Sequence, residues 1–185
     1  MYNMKGLKAL YTIFIFLLAG CAIFKSKHKM NHPFNFYTSY NTFFITSDNG
    51  TAITDNWAEN QEAYNKDRLL QAENLLAVKT GSYGHIKGGI DVLMHENKQV
   101  DLKNYDHVVE GYLEVKSGVL QVLECPGSQL ELELKVNPGK YRVRVYSSSL
   151  VSTDIDEDEG DDYYKIEIWP DTNMARKVLK RYIRK

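Results

Sequence analysis

Cysteine is all but missing from this chain, with only Cys21 and Cys125 among 185 residues. Cys21 closes a signal-type segment, so no intramolecular disulfide is expected and apolar burial alone has to hold the fold. Long hydrophobic runs are missing as well. The uncharged stretch from Ala9 to Phe24 is 16 residues, short of the roughly 20 needed to cross a hydrocarbon core. Catalytic signatures are absent: there is no G-x-x-x-x-G-K-[ST] phosphate loop, no H-E-x-x-H helix and no G-x-S-x-G turn. The five histidines, His28, His32, His85, His95 and His107, are scattered, and none has a second ligand at metal spacing. His85, His95 and His107 are expected as solvated side chains at turns or strand ends, and the chain is expected not to be an enzyme.

What is present begins at the amino terminus. Lys5 and Lys8 stand in a segment without acids, and ALYTIFIFLL over 9–18 follows without a charge, the layout of a secretory signal. It ends in Leu18-Ala19-Gly20-Cys21, a small pair directly before a cysteine. These four residues resemble the lipobox of bacterial lipoproteins. The resemblance implies diacylglycerol on the Cys21 thiol, removal of residues 1–20 and acylation of the new amino group. Two or three acyl chains anchor firmly where one does not. In a cell with two membranes, Ala22 in place of aspartate after the cysteine favours the outer over the inner one. The expected location is the cell envelope, outside the cytoplasm.

The mature chain has 165 residues, room for one domain. Residues 21–33 carry Lys25, Lys27 and Lys29 without an acid and read as a lipidated tether. Residues 171–185 hold six bases against Asp171 and form a basic tail, with the spacing of a short amphipathic helix in Met174, Val178, Leu179, Tyr182 and Ile183. Between them, residues 34–170 hold 12 Lys and Arg against 23 Asp and Glu, a net of −11. Such a body does not bind nucleic acid by neutralising phosphates. It suits a basic protein partner.

Aromatic and β-branched residues from Phe34 to Thr46 predict a first strand, and residues 57–65 a short helix with Asn56 as its cap. Leu75–Thr80 and Ile86–Met94 around Gly81-Ser82-Tyr83-Gly84 have the form of a hairpin. From Tyr105 to Ile168 apolar residues alternate in about five runs broken by Gly118, Pro126-Gly127 and Asn137-Pro138-Gly139. The whole predicts a mostly-β protein, an antiparallel β-sandwich of about 7–8 strands over 34–170. Trp57 and Trp169 are expected in the core, and Cys125 as a buried or turn thiol rather than a nucleophile.

The conspicuous local feature is the acidic run Asp154, Asp156, Glu157, Asp158, Glu159, Asp161 and Asp162. Counted from Asp154, an EF-hand fails, because glycine falls at position 7 and Lys165 at position 12. A looser Ca²⁺ loop, a solvated loop of like charges and a contact surface for a basic partner all remain open. A cell-surface module that binds calcium or sugar is the alternative function.

Tyr40-x-x-Phe43-x-Ile45, Asp55 and Trp57, Gly118-Val119-Leu120-Gln121-Val122, Leu130-Glu131-Leu132, Pro138-Gly139-Lys140-Tyr141-Arg142-Val143 and Asp162-Tyr163-Tyr164-Lys165-Ile166 follow in an order that resembles the competence protein J family, inhibitors of the bacterial DNA-entry nuclease. The resemblance spans roughly 36–168 and rests mostly on turn and core residues. It implies an acidic β domain that binds and blocks a nuclease, as an inhibitor or immunity-type protein. The lipoprotein signal and the long acidic run depart from that family.

Overall fold

The computed structural model describes residues 32–47, 57–126, 129–152 and 159–183. Cys21, the signal-type segment, Asn56 and residues 154–158 of the acidic run lie outside the described residues. The elements are β1 (His32–Tyr37), β2 (Thr42–Ser47), α1 (Trp57–Asp67), β3 (Leu69–Ala72), β4 (Leu75–Lys79), β5 (His85–Val92), β6 (His107–Val115), β7 (Val119–Glu124), β8 (Leu130–Lys135), β9 (Gly139–Ser148), β10 (Glu159–Pro170) and β11 (Lys177–Lys180). One sheet runs β1-β5-β10-β9-β6-β11 and the other β3-β4-β2-β7-β8. The alternation read from the sequence does build a two-sheet, mostly-β fold. Its pairing is antiparallel except between β5 and β10, which run parallel.

Side chains alternate across each strand, so Val109, Leu113, Val143, Val145, Ile166 and Ile168 of the larger sheet meet Ile45, Leu76, Leu120 and Val122 of the smaller. Phe34, Phe36, Phe43 and Tyr164 form a tilted and edge-on aromatic group with centroids 5.5 to 6.2 Å apart. Phe34 pairs with Gly88 in register, and its ring lies over the glycine. A Cβ at position 88 would stand 2.4 Å from that ring and 2.3 Å from the Tyr164 carbonyl oxygen.

Helix α1 covers the outer face of the smaller sheet, where Tyr64 joins Phe44, Leu70, Leu75, Ala77 and Leu123. The buried Tyr64 hydroxyl finds Thr42 Oγ1 at 2.7 Å. The helix stops at Arg68, whose φ of 54° is left-handed and whose N–H donates to the Tyr64 carbonyl at 2.7 Å.

Three local expectations differ from what forms. The Leu75–Thr80 and Ile86–Met94 runs are not a hairpin, because β4 and β5 sit in different sheets and the 80–84 segment crosses between them. The basic tail does not make a helix over its apolar positions. Residues Lys177–Lys180 instead form β11 on the free edge of β6, where the ladder satisfies their backbone groups. His107 is fully buried, not solvated. Its Nδ1 accepts from the Tyr182 N–H at 3.1 Å, so Nε2 carries the proton and donates to the Asp67 carbonyl at 2.9 Å. Asp67 in turn binds Arg176 at 3.0 Å and Arg181 at 2.8 Å. The C-terminal strand is thereby latched to the end of α1.

Two outcomes follow. Gly88→Ala forces a methyl into the Tyr164 carbonyl and the Phe34 ring, and should cost about 3 kcal/mol in a urea titration. Burial, opposed by the Asp67 carbonyl and aided by Arg68 and Arg181, lowers the His107 pKa to about 4. The unfolded chain takes up this proton near pH 6.5, so the contribution is complete above pH 6.5 and is lost as pH falls towards 4. Stability at pH 5 should lie about 2 kcal/mol below that at pH 7.5, by the 1.36 kcal/mol per unit of linkage, and His107→Gln should flatten that slope.

Candidate partner-binding end of the sandwich

The outward strand positions of the larger sheet are charged, yet they are not on the surface. Glu110, Arg142, Arg144, Glu167 and Trp169 all face away from the apolar core and are all buried. Glu110 Oε2 accepts from Arg142 Nε at 3.1 Å and Nη2 at 2.8 Å, while Oε1 accepts from Arg144 Nε at 2.6 Å. Two straps supply the cover. The β5–β6 connection gives the Asn97 carbonyl, 2.9 Å from Arg144 Nη1, and Glu96, 2.7 Å from Arg144 Nη2. The segment after β10 gives the Asn173 and Ala175 carbonyls to Arg142. Glu167 accepts from Tyr146 at 2.6 Å, Lys165 at 2.7 Å and Asn97 at 3.0 Å; burial works against its ionisation, but these donors hold its pKa below the usual value. Arg144 also lies 4.8 Å over the Trp169 ring. Trp169 is buried as expected, though under a strap and not between the sheets; the side chain of Trp57 lies outside what is described.

The straps leave one corner of the larger sheet open, where β1, β5 and β10 meet at the acidic end. Here Tyr37 is 47 % exposed, Tyr40 64 % and Tyr163 38 %, and His85 faces solvent. Tyr37 and His85 are cross-strand partners with rings edge-on at 5.5 Å. Tyr40 meets Tyr83 at 6.2 Å. On its other side His85 pairs with Glu159, where β10 leaves the acidic run, and a bulge between Glu159 and Tyr163 holds the exposed Asp161. Tyr40 and Asn41 both have positive φ, 55° and 50°, a conformation that favours glycine and costs a tyrosine free energy. Tyr40 keeps a largely exposed ring in that strained conformation, which makes it a candidate contact residue.

The platform beneath these rings is rigid. Asp162 points inward, with Oδ2 accepting from the N–H groups of Gly81 at 3.1 Å and Ser82 at 3.2 Å, and Oδ1 from Ser82 Oγ at 2.6 Å. Tyr164 donates to the same carboxylate, and burial followed by that charge raises its pKa far above the ordinary value. Asn41 Nδ2 donates to the Gly81 carbonyl at 3.1 Å, and Thr80 N–H to the Asn41 carbonyl at 2.8 Å. The turn carrying Tyr40 and the crossover carrying Tyr83 are thus tied together and to β10.

Of the acidic residues singled out in the sequence, Asp161 is exposed, Glu159 is placed by its backbone alone, and Asp154, Asp156, Glu157 and Asp158 lie outside the described residues. Asp162 is 1 % exposed and committed to internal donors, so it cannot meet a partner. Its position after six other acids hides this, but Tyr164 two residues on, on the same strand face, carried the signal. The sequence does not single out Tyr37, Tyr40 or Tyr163 as site residues, because they come from separate segments. Cys125 is half-buried, and burial with Glu124 raises its thiol to about 11, so it stays protonated and unreactive. Among the described residues no group of three His, Cys, Asp or Glu is placed to hold a metal, and no helix is long and apolar enough to cross a membrane.

Asp162→Asn removes the charge from four converging donors and should destabilise the fold by about 2 kcal/mol, read as a lowered urea midpoint, whereas Asp161→Asn, at an exposed side chain, should cost less than about 1 kcal/mol.

No family model and no curated protein matches the chain. Among solved structures it is similar to ComJ from Bacillus subtilis, described as an inhibitor of the DNA-degrading activity of NucA, with 16% identity, a TM-score of 0.58, and coverage of 77% of this chain and 98% of that one. A second similar structure is the product of crocagin biosynthetic gene J, with 19% identity, a TM-score of 0.50, and coverage of 76% and 96%. At these identities what is shared is the fold, spread over nearly the full length of both relatives.

Proposed function

We propose that this protein is a lipid-anchored, non-enzymatic inhibitor or immunity-type protein that blocks a basic nuclease with the acidic, tyrosine-bearing end of its sandwich. The observation that carries the reading is the open corner itself. Exposed Tyr37, Tyr40 and Tyr163, with the half-buried Tyr83, stand beside Asp161 and the start of β10, on a base fixed by Asp162. Tyrosines are favoured anchors in interfaces because they give large contact area at low entropic cost. The charges speed encounter with a cationic partner. The likeness of fold to ComJ, whose description names it as a nuclease inhibitor, supports the same class of partner, a DNA-degrading enzyme.

The residues that carry the alternative of a calcium-binding loop, Asp154, Asp156 and Asp158, lie outside the described residues. The same corner without calcium suits a protein better than a sugar, because its rings stand edge-on to their neighbours instead of presenting one flat platform.

The test is the DNA-degrading activity released by the cells that make this protein, measured with increasing amounts of the purified domain. Dose-dependent inhibition that weakens with salt is expected. Tyr37→Ala with Tyr40→Ala should raise the inhibitory concentration about 30-fold, as for hot-spot residues of about 2 kcal/mol. Inhibition absent at low salt, or untouched by these substitutions, would remove the assignment.

A further inference from the structure

We propose that the end of the sandwich opposite the acidic run rests on the lipid bilayer through Val92, Met94 and Pro170, so that the tyrosine-bearing corner points away from the membrane. This rests on lipid attachment at Cys21. The direction of β1 supplies the first argument. Its first residue, His32, pairs with Ile90 near the end of β5, and its last, Tyr37, pairs with His85 at the start. The chain arriving from Cys21 therefore joins the domain beside Val92. Ten residues lie between Cys21 and His32, and the eleven steps of chain can span at most about 36–40 Å.

The second argument is the chemistry of that end. Met94 is 80 % exposed and Val92 37 %, although the Leu93 N–H is fixed to the Ile168 carbonyl at 2.8 Å. Beside them lies a pocket of about 370 Å³ walled by Val136, Tyr141 and Pro170, with Lys135 at its margin. Exposed apolar groups next to a lysine suit the boundary between acyl chains and anionic headgroups.

The third argument is charge. The stems of the acidic run, Leu150–Ser152 and Glu159, are both at the opposite end, as the Glu159–His85 pairing requires. The seven strand steps from His85 to Val92 amount to about 23 Å at 3.3 Å each, several times the roughly 8 Å over which salt screens charge. With Val92 at the lipid, Glu159 and the exposed Asp161 at the start of β10 stand clear of the negative surface; turned over, this end would be pressed against it.

The experiment uses the full chain purified from membranes and reconstituted in phosphatidylethanolamine–phosphatidylglycerol vesicles containing nitroxide-labelled lipid. With Cys125→Ser as background, a fluorophore is placed on Met94→Cys or on Tyr40→Cys, and mass spectrometry reads the state of Cys21. Lipid on Cys21 with quenching at 94 about threefold or more above that at 40 is the expected result, since interfacial groups sit within 5–10 Å of the acyl boundary. Lipid on Cys21 with equal quenching, or stronger quenching at 40, overturns the orientation and leaves the anchor standing. An unmodified Cys21 overturns the anchor and the orientation with it.

Discussion

The Glu110 carboxylate between two buried arginines sets the terms for the rest of the structure. Two guanidinium groups on the outer face of a sheet normally remain in water, and taking them out is costly unless every donor is satisfied. Here one carboxylate serves both Arg142 and Arg144, and further donors go to the Glu96 carboxylate and to carbonyls of Asn97, Asn173 and Ala175. Those carbonyls belong to segments without regular structure, which gain their fixed positions from the charges they cover. The larger sheet therefore has a second, polar core on its outer side, closed by straps instead of helices.

That closure decides where the protein can be touched. α1 occupies the outer face of the smaller sheet and the straps occupy the β9–β6 half of the larger one, so broad access is left at the β1, β5, β10 corner. The corner is built to be stiff, because Asp162 gathers the β4–β5 crossover and Asn41 holds the neighbouring turn to it. Rings held this way lose little freedom on meeting a partner, which favours tight binding from a small contact area. The same reasoning explains why Asp162 faces inward next to the exposed Asp161.

Strands were legible wherever apolar residues alternate, as in Leu130–Lys135 and Gly139–Ser148, because the period of two records which side of a sheet is dry. Arg142 and Arg144, alternating with Val143 and Val145, read as polar side chains in solvent. Nothing local says that residues 93–106 cross over them. The Gly81-Ser82-Tyr83-Gly84 turn has hairpin composition, but its course is decided by a carboxylate some 80 residues away. In the tail, Val178 and Leu179 suit a helix or a strand, and the vacant edge of β6 chose the strand. His107 looked like a strand-end histidine, and only the return of Tyr182 makes it a buried acceptor. For the site, the acids were visible as composition, whereas the tyrosines are gathered from β1, the following turn, the crossover and β10.

Parallel pairing of β5 with β10 joins His85 to Glu159 and Gly88 to Tyr164, in the middle of the six-stranded sheet. A nascent polypeptide that has not yet delivered its last thirty residues leaves β5 bonded on one side only, with β9 and β6 cut off from it. Closing so long a loop is slow. The six-stranded sheet therefore cannot close until the end of the chain has been made, and its completion depends on residues that are synthesised last.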